Sequence, residues 1–397
     1  MNQSRARQYS VLFVLGVTAA LSPVSIDMLA PSLPQLSEDM GASAARIELT
    51  IYAFLVGYGL APSLWGRLSD SVGRRPVMFA GMLIYCLSCI ASIYAPGIDE
   101  LIMFRALQGV GAAAGATMAR AIVRDIYGAT GTARGMATMI SMLAAIPFLM
   151  PIAGGMIARQ FSPQACFIAM ALVGLGGTFA YWILVPETLP TPVKNSGRAG
   201  ANMLSIVGNR VFAGHALCNM FSIATLVLFG ANFSFILAQN YQFDSAKSGI
   251  ALALFNGSIA LGTYLVWPLM PRLGTHRSIL LGGVLCTLGW LAIALQAYVG
   301  FPSIEMLAGP LVIACLGCGI IMGLCAGGAL APFSNNSGTA SSVYLLVQSI
   351  GASGISYMAG QLLPKQLLAM ALATTCCGAM AVASKLTFGS GHPDTGH

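Results

Sequence analysis

Long apolar runs separated by short polar connections make up nearly the whole chain. Each run has about 20 residues, which is long enough for a helix to cross the hydrocarbon core of a bilayer. The pattern therefore predicts an all-α membrane protein with twelve transmembrane helices in two six-helix bundles. The runs have the limits 10–32, 47–66, 76–95, 100–122, 136–158, 164–186, 210–236, 247–268, 278–298, 305–330, 339–361 and 366–387.

The longest polar stretch follows the sixth run and divides the twelve runs into two sets of six. We therefore predict an N-terminal six-helix bundle (1–190), a cytoplasmic linker (191–209) and a C-terminal six-helix bundle (210–397). The hairpin at 72–76 has a short echo at 273–277, where Pro271 takes the place of Asp70. Repeated halves are typical of secondary transporters, although chance similarity stays open for so short a match.

Composition excludes several classes of protein. The chain is 57% hydrophobic and only 8% charged, whereas soluble domains carry about 25% charged residues. The net charge of +7 is spread over short loops and does not form the basic stripe of a nucleic-acid-binding protein. The ten cysteines lie in apolar runs, and we interpret Cys315 and Cys318 as small buried hydrophobes rather than a metal or redox pair. There is no phosphate-binding glycine loop, so we expect no cofactor and no ATP.

The distribution of Lys and Arg predicts the orientation in the membrane. With the N-terminus in the cytoplasm, four basic residues fall outside: Arg46, Arg159, Lys247 and Lys365. Thirteen fall on the cytoplasmic side: Arg5, Arg7, Arg67, Arg74, Arg75, Arg124, Arg134, Lys194, Arg198, Arg210, Arg272, Arg277 and Lys385. Basic residues favour the cytoplasmic side, so both termini are predicted to be cytoplasmic.

A charged hairpin, residues 66–75, connects the second and third runs. Gly73 permits a tight reversal, and the arginines hold the hairpin outside the bilayer. The spacing of Gly66, Asp70, Gly73, Arg74 and Arg75 resembles the signature loop of the major facilitator superfamily. The alternative, a charged turn of a soluble protein, does not suit flanks this apolar.

Asp27 is the only acid that we place inside a span. An ionised Asp at the centre of a bilayer costs about 3 kcal/mol on insertion scales, so the side chain should face the protein interior. A carboxyl group there can titrate, as proton coupling requires. The alternative is a hydrated or capping acid at the outer end of the span, because Pro31 and Pro34 predict that the helix loosens nearby.

Arg105 is a cation within the fourth span and needs carbonyls, a carboxylate or water as partners. The sequence Arg105-x-x-Gln108-Gly resembles exporters of the superfamily. Together with Asp27-Met28 and the run ending in Arg124-Asp125, it is similar to the bicyclomycin- and chloramphenicol-resistance (Bcr/CflA) branch of drug:proton antiporters. The resemblance implies that Arg105 takes part in proton transfer and that Asp70 braces against the start of the eleventh helix.

Two further sets of residues are candidates for function. Gating is assigned to the charged hairpin with Arg124 and Asp125, and to the kinked fifth span; solvated loop charges and a static bend are the alternatives. The fifth-span residues are Pro147, Pro151 and Gly154. Polar groups can bind a substrate in a cavity or hold helices together. The predicted cavity residues are Met28, Gln108, Asn232, Asn256 and Tyr264.

The sequence thus predicts a proton-coupled exporter of small organic molecules in the bacterial inner membrane. We expect it to be a monomer whose partners are substrate, protons and lipid, with no nucleic acid and no cofactor beyond the proton gradient. Three alternatives stay open: export of an endogenous product such as a siderophore, uptake by proton symport, and an intramembrane enzyme. The lack of a His/Asp/Glu cluster in the spans argues against the enzyme.

Overall fold

A computed structural model describes residues 2–143, 145–189, 203–300, 302–362 and 366–388. Secondary structure in these ranges is entirely helical. Contacts divide the chain into two compact units. The N-terminal unit contains Met1–Arg198 and Asp244–Ile250, and the C-terminal unit contains Ala199–Phe243 and Ala251–His397. Most of the predicted linker, 191–202, lies outside the described residues, and its end carries a short helix, Met203–Val207.

The helices of the N-terminal unit follow one another with short connections. They are α1 (Asn2–Ala19), α2 (Leu21–Asp27), α3 (Leu33–Asp39), α4 (Ala44–Leu60), α5 (Pro62–Val72), α6 (Arg74–Ile93), α7 (Ile98–Leu143), α8 (Ile146–Gln160) and α9 (Pro163–Leu184). A 3-10 turn, Ala30–Ser32, joins α2 to α3.

The helices of the C-terminal unit are fewer and longer. They are α10 (Met203–Val207), α11 (Arg210–Tyr241), α12 (Ser245–Val299), α13 (Ile304–Leu330), α14 (Ser337–Leu362) and α15 (Leu367–Phe388). The first residues of α12 belong to the N-terminal unit. Within the C-terminal unit, α11 packs against α13, α14 and α15.

The number of spans follows from helix length. By length and apolar composition, up to ten helices or bent helix pairs of the described chain can cross a membrane. One of them, α12, has 55 residues, about 80 Å at 1.5 Å per residue, which is too long for a single span. It is broken at Gly274 (φ 74°) into two. Counting the two parts of α12 separately gives eleven spans, and α14, a helix of 26 residues, brings the number to twelve. The predicted all-α fold is confirmed.

The first span, predicted at 10–32, is interrupted at two points. It bends by 43° between Arg7–Ala19 and Leu21–Asp39, and the 3-10 turn contains Pro31. Proline has no N–H to donate and clashes with the preceding helical turn. The predicted loosening next to Asp27 is therefore confirmed.

Glycines set the distances between the helices of the N-terminal unit. A methyl group on Gly111 would collide with backbone atoms of Gly81 and Tyr85, and one on Gly115 with the carbonyl of Thr18. The spacing Gly111-x-x-x-Gly115 is one by which small residues let helices approach closely in membranes. It brings α7, which carries Arg105, directly against α1 and α6.

Candidate functional site

Arg105 lies at the centre of a buried polar network in the N-terminal unit. Its side chain is fully buried (0% exposed). Nη1 donates to Gln108 Oε1 at 2.5 Å, Nη2 to the carbonyl of Ser25 at 3.2 Å, and Nε to the carbonyl of Thr50 at 3.4 Å. The guanidinium carbon lies 4.7 Å from the ring centroid of Phe54. Carbonyl dipoles, an amide and an aromatic face thus stabilise a cation inside the bundle.

Gln108 is the side-chain partner of this cation. It is also fully buried, and its amide nitrogen donates to Cys89 Sγ at 3.0 Å. The hydroxyl of Ser25 lies 2.8 Å from that of Tyr85. In this conformation the Gln108 amide is engaged by protein groups, and its role in binding substrate stays a prediction.

Asp27 is the last residue of α2 and is half-buried, where the first span breaks. It lies two residues after Ser25, whose carbonyl accepts from Arg105. The next residue, Met28, is buried, and its carbonyl packs directly on Gly154 of α8. Residues 25–28 therefore contain the predicted acid and contact both the predicted cation, Arg105, and one predicted gating glycine, Gly154. Their roles stay predictions.

Glu48 was missed by the sequence analysis, and the statement that Asp27 is the only acid inside a span was wrong. Glu48 lies in α4 and is 1% exposed. The hydroxyl of Tyr52 donates to its Oε2 at 3.5 Å. It lies two residues before Thr50, whose carbonyl accepts from Arg105. The signal was present, because Glu48 is flanked by Ile47 and Leu49 in an apolar run, but its closeness to the start of that run made it resemble a loop residue.

The charged hairpin forms a compact ion-pair network. Gly73 has φ 104° and separates α5 from α6, as its predicted reversal requires. Arg74 Nη1 donates to Asp70 Oδ1 and to Ser69 Oγ, both at 2.6 Å, and Arg74 Nε donates to Asp125 Oδ2 at 3.1 Å. The Arg74 side chain is only 5% exposed. The predicted proximity of Arg74 and Asp125 is therefore correct.

Other members of the predicted gating set lie apart from this network. Arg124 is exposed and forms no ion pair with a described residue. Gly66 faces open space. Pro147 is in the first turn of α8 and Pro151 is inside that helix. Their gating roles stay predictions.

Glu187 is a second residue that the sequence analysis did not single out. Its carboxylate accepts from the backbone N–H groups of Arg74 at 3.0 Å and Arg75 at 2.9 Å, so it caps α6 at the positive end of the helix dipole. Burial raises the pKa of Glu187. Hydrogen bonds from four backbone N–H groups, including those of Thr188 and Leu189, together lower the pKa by more than burial raises it, so the pKa is below its usual value. The Arg75 side chain donates to the carbonyl of Trp182 at 2.7 Å. The segment after α9 is thereby held against the hairpin.

The predicted cavity residues of the C-terminal unit are differently placed. Asn232 is buried, and its amide donates to the Leu228 carbonyl one turn earlier at 2.9 Å. Asn256 is half-buried, and Tyr264 is 53% exposed. Their placement does not decide between binding a substrate and packing helices.

Comparison with known proteins identifies the family. Residues 15–357 match the family model described as Major Facilitator Superfamily. Multidrug resistance protein D of Escherichia coli (strain K12) is 25% identical over 363 residues, which are 91% of either chain. Multidrug resistance protein MdtL of Klebsiella pneumoniae (strain 342) is 26% identical, with 84% of each chain covered.

Solved structures share the fold. A bacterial homologue of the human lysosomal transporter Spinster, inward-facing and unoccupied, has a TM-score of 0.77 at 15% identity, with 98% of this chain and 99% of that chain covered. The human organic anion transporter MFSD10 has a TM-score of 0.67 at 18% identity, covering 96% and 99%. At this identity the likeness concerns the fold alone. The chain, a multi-pass membrane transporter and not an enzyme, belongs to the Major Facilitator Superfamily.

Proposed function

We propose that this transporter exports small organic molecules from the bacterial cytoplasm in exchange for protons. The observation that carries the proposal is a buried cation held by carbonyls of two spans, each of which has an acid two residues from that carbonyl. Arg105 binds the carbonyls of Ser25 and Thr50. Asp27 lies two residues after Ser25, and Glu48 lies two residues before Thr50.

This placement links acid protonation to the position of the cation. Binding a proton on Asp27 or Glu48 removes a negative charge from one of the two spans whose carbonyls hold Arg105, and Coulomb interactions are strong where water is excluded. The carbonyls that hold Arg105 belong to the first and second spans. A change of protonation therefore changes how strongly these spans are attracted to the fourth, and substrate exchange can use that difference.

The kind of substrate is inferred from the apolar surroundings and from the relatives. The spans of the described chain carry few charges, which favours neutral or amphipathic molecules over highly charged ones. Two relatives bear the printed name multidrug resistance protein. We propose drug-like compounds as substrates; an endogenous product such as a siderophore would use the same machinery. We also propose a monomer in the inner membrane with both termini in the cytoplasm.

Transport in proteoliposomes with an imposed pH gradient tests this proposal. The purified chain should accumulate a lipophilic dye against its gradient when protons flow the other way, and an uncoupler should abolish accumulation. Asp27→Asn and Glu48→Gln should each lower gradient-driven accumulation by about tenfold or more, as expected for a lost coupling term of at least 1.4 kcal/mol. Glu38→Gln is the matched control, since Glu38 is exposed on α3.

Two results would overturn the proposal. The first is accumulation that ignores the uncoupler. The second is dye movement in the same direction as the proton flow, which would indicate symport. Secretion measured in a deletion strain would separate a drug from an endogenous product.

A further inference from the structure

A buried contact between two basic side chains lies in the C-terminal unit. Lys385 of α15 was counted with the cytoplasmic loop residues, but it is only 3% exposed, and His215 of α11 is 7% exposed. The Lys385 ammonium nitrogen lies 2.9 Å from His215 Nε2. Burying one cation is costly, and placing a second basic group in contact with it calls for a specific arrangement of protons.

The backbone determines that arrangement. His215 Nδ1 lies 2.8 Å from the carbonyl of Val211, one turn earlier in α11. A carbonyl oxygen only accepts, so Nδ1 carries a hydrogen and donates it. In neutral His215, Nε2 then has a free lone pair and accepts from Lys385. The hydrogen bond between Lys385 and His215 thus forms when the pair carries one positive charge. When both groups are protonated, Nζ and Nε2 are both donors and cannot bind each other.

The helices around the pair supply few other titratable groups. The imidazole ring lies on Gly328 of α13, where a methyl group would collide with it. Cys325 of α13 interacts with Lys385, and His276 of α12 interacts with His215. Two other helices that pack against α11 contribute Tyr344 of α14, a buried side chain whose hydroxyl has no hydrogen-bond partner among the described residues, and the apolar residue Ile206 of α10. No carboxylate of a described residue interacts with His215.

We propose that His215 and Lys385 form a proton-binding site in the C-terminal unit. The pair holds one positive charge at neutral pH, and uptake of a second proton breaks the hydrogen bond that joins His215 of α11 to Lys385 of α15. The site is separate from Asp27, Glu48 and Arg105, and it does not depend on the proposed exchange of substrate for protons.

Nitrogen NMR of the histidine rings tests the proposal without any transport assay. The full chain, labelled with ¹⁵N-histidine and reconstituted in lipid nanodiscs, contains four histidines, and His215→Gln identifies the signal of His215. At pH 8 this signal should have the shifts of the Nδ1–H tautomer. Replacement of Lys385 by Met should move the titration midpoint of the ring by about one pH unit or more, as expected for a neighbouring charge in a low-dielectric site.

Two controls separate proton binding from packing. Lys385→Arg keeps a charged donor and should retain the wild-type titration within about half a unit, well inside the shift expected for losing the charge. The melting temperature should fall more between pH 7.5 and 5.5 in the wild type than in Lys385→Met or, if that variant does not fold, in Lys385→Gln. An Nε2–H tautomer at pH 8, or identical ring titrations with and without the lysine, would overturn the proposal.

Discussion

The two units contain the same chain reversal, but among the described residues only the first reversal is surrounded by ion pairs. Gly73 (φ 104°, ψ 160°) and Gly274 (φ 74°, ψ 165°) both place an extended, positive-φ residue between two helices. In the N-terminal unit, the reversal is flanked by the ion pairs of Arg74 and by the cap from Glu187. In the C-terminal unit, the corresponding positions are Thr275 and Pro271, and Pro271 takes the place of the acid.

Comparing the two hairpins separates the residues that the backbone turn requires from the contribution of the charged side chains. A positive φ favours glycine in either unit, so the shared reversal reflects shared helix connections. The ion pairs are not needed to make the turn, because the second hairpin forms the same backbone without them. We infer that the charges of the first hairpin serve a purpose beyond forming the turn, and changes at matched positions can test this.

The largest effect is expected from Arg74→Ala. The side chain is buried and contacts two carboxylates, so its loss should cost about 2 kcal/mol of unfolding free energy, below the 3–5 kcal/mol of a fully buried pair because Asp70 is exposed. Transport should fall by about tenfold or more if the network controls the conformational step. Thermal unfolding and dye transport measure the two effects.

The matched change in the second hairpin is Thr275→Ala. It should alter both quantities little, with less than about 0.5 kcal/mol of unfolding free energy. Equal losses in both hairpins would mean that Arg74 acts only as a packing residue of a turn.

The next effect is expected from alanine at the two glycines. With ψ near 160°, a side chain at φ 104° or 74° is in a region that essentially only glycine adopts, and this strain costs about 1–2 kcal/mol. At Gly73 the new methyl group would also collide with the Glu187 carboxylate. Gly73→Ala should therefore lower the melting temperature more than Gly274→Ala. Equal losses would show that the Glu187 carboxylate moves aside at no cost in stability.

A smaller effect is expected from Glu187→Gln. The residue is exposed, so screening limits the loss to less than about 1 kcal/mol. Because the pKa of Glu187 is lowered on folding, its contribution is present above the unfolded value, near 4.3, and is lost as the pH falls through the folded value. Unfolding curves of the wild type and the variant should thus differ at pH 7 and converge in acid. A difference that does not shrink as the pH is lowered would contradict a charge-dependent cap.

The sequence predicted the spans, because apolar length is a local property, and it grouped Asp125 with the charged hairpin through the resemblance to a known family. The partners of buried polar groups were harder to predict from the sequence. Glu48 stands near the end of an apolar run and Lys385 near the end of another, and hydropathy does not reveal which way such side chains turn. Glu187 follows the hairpin by more than a hundred residues, and only the packed bundle brings it to the start of α6.

The smallest effect on stability is expected from Asp70→Asn. The side chain is 63% exposed, and exposed ion pairs contribute about 0–1 kcal/mol; Arg74 also retains Asp125. Unfolding free energy should therefore change by less than about 0.5 kcal/mol. If Asp70 locks one conformation of the transport cycle, as proposed from the signature loop, dye transport should nevertheless fall several-fold, because the lock contributes to one state of the cycle only. Stability and transport measured on the same preparation thus distinguish an acid that supports the fold from one that controls its movement, and unchanged transport would exclude the lock.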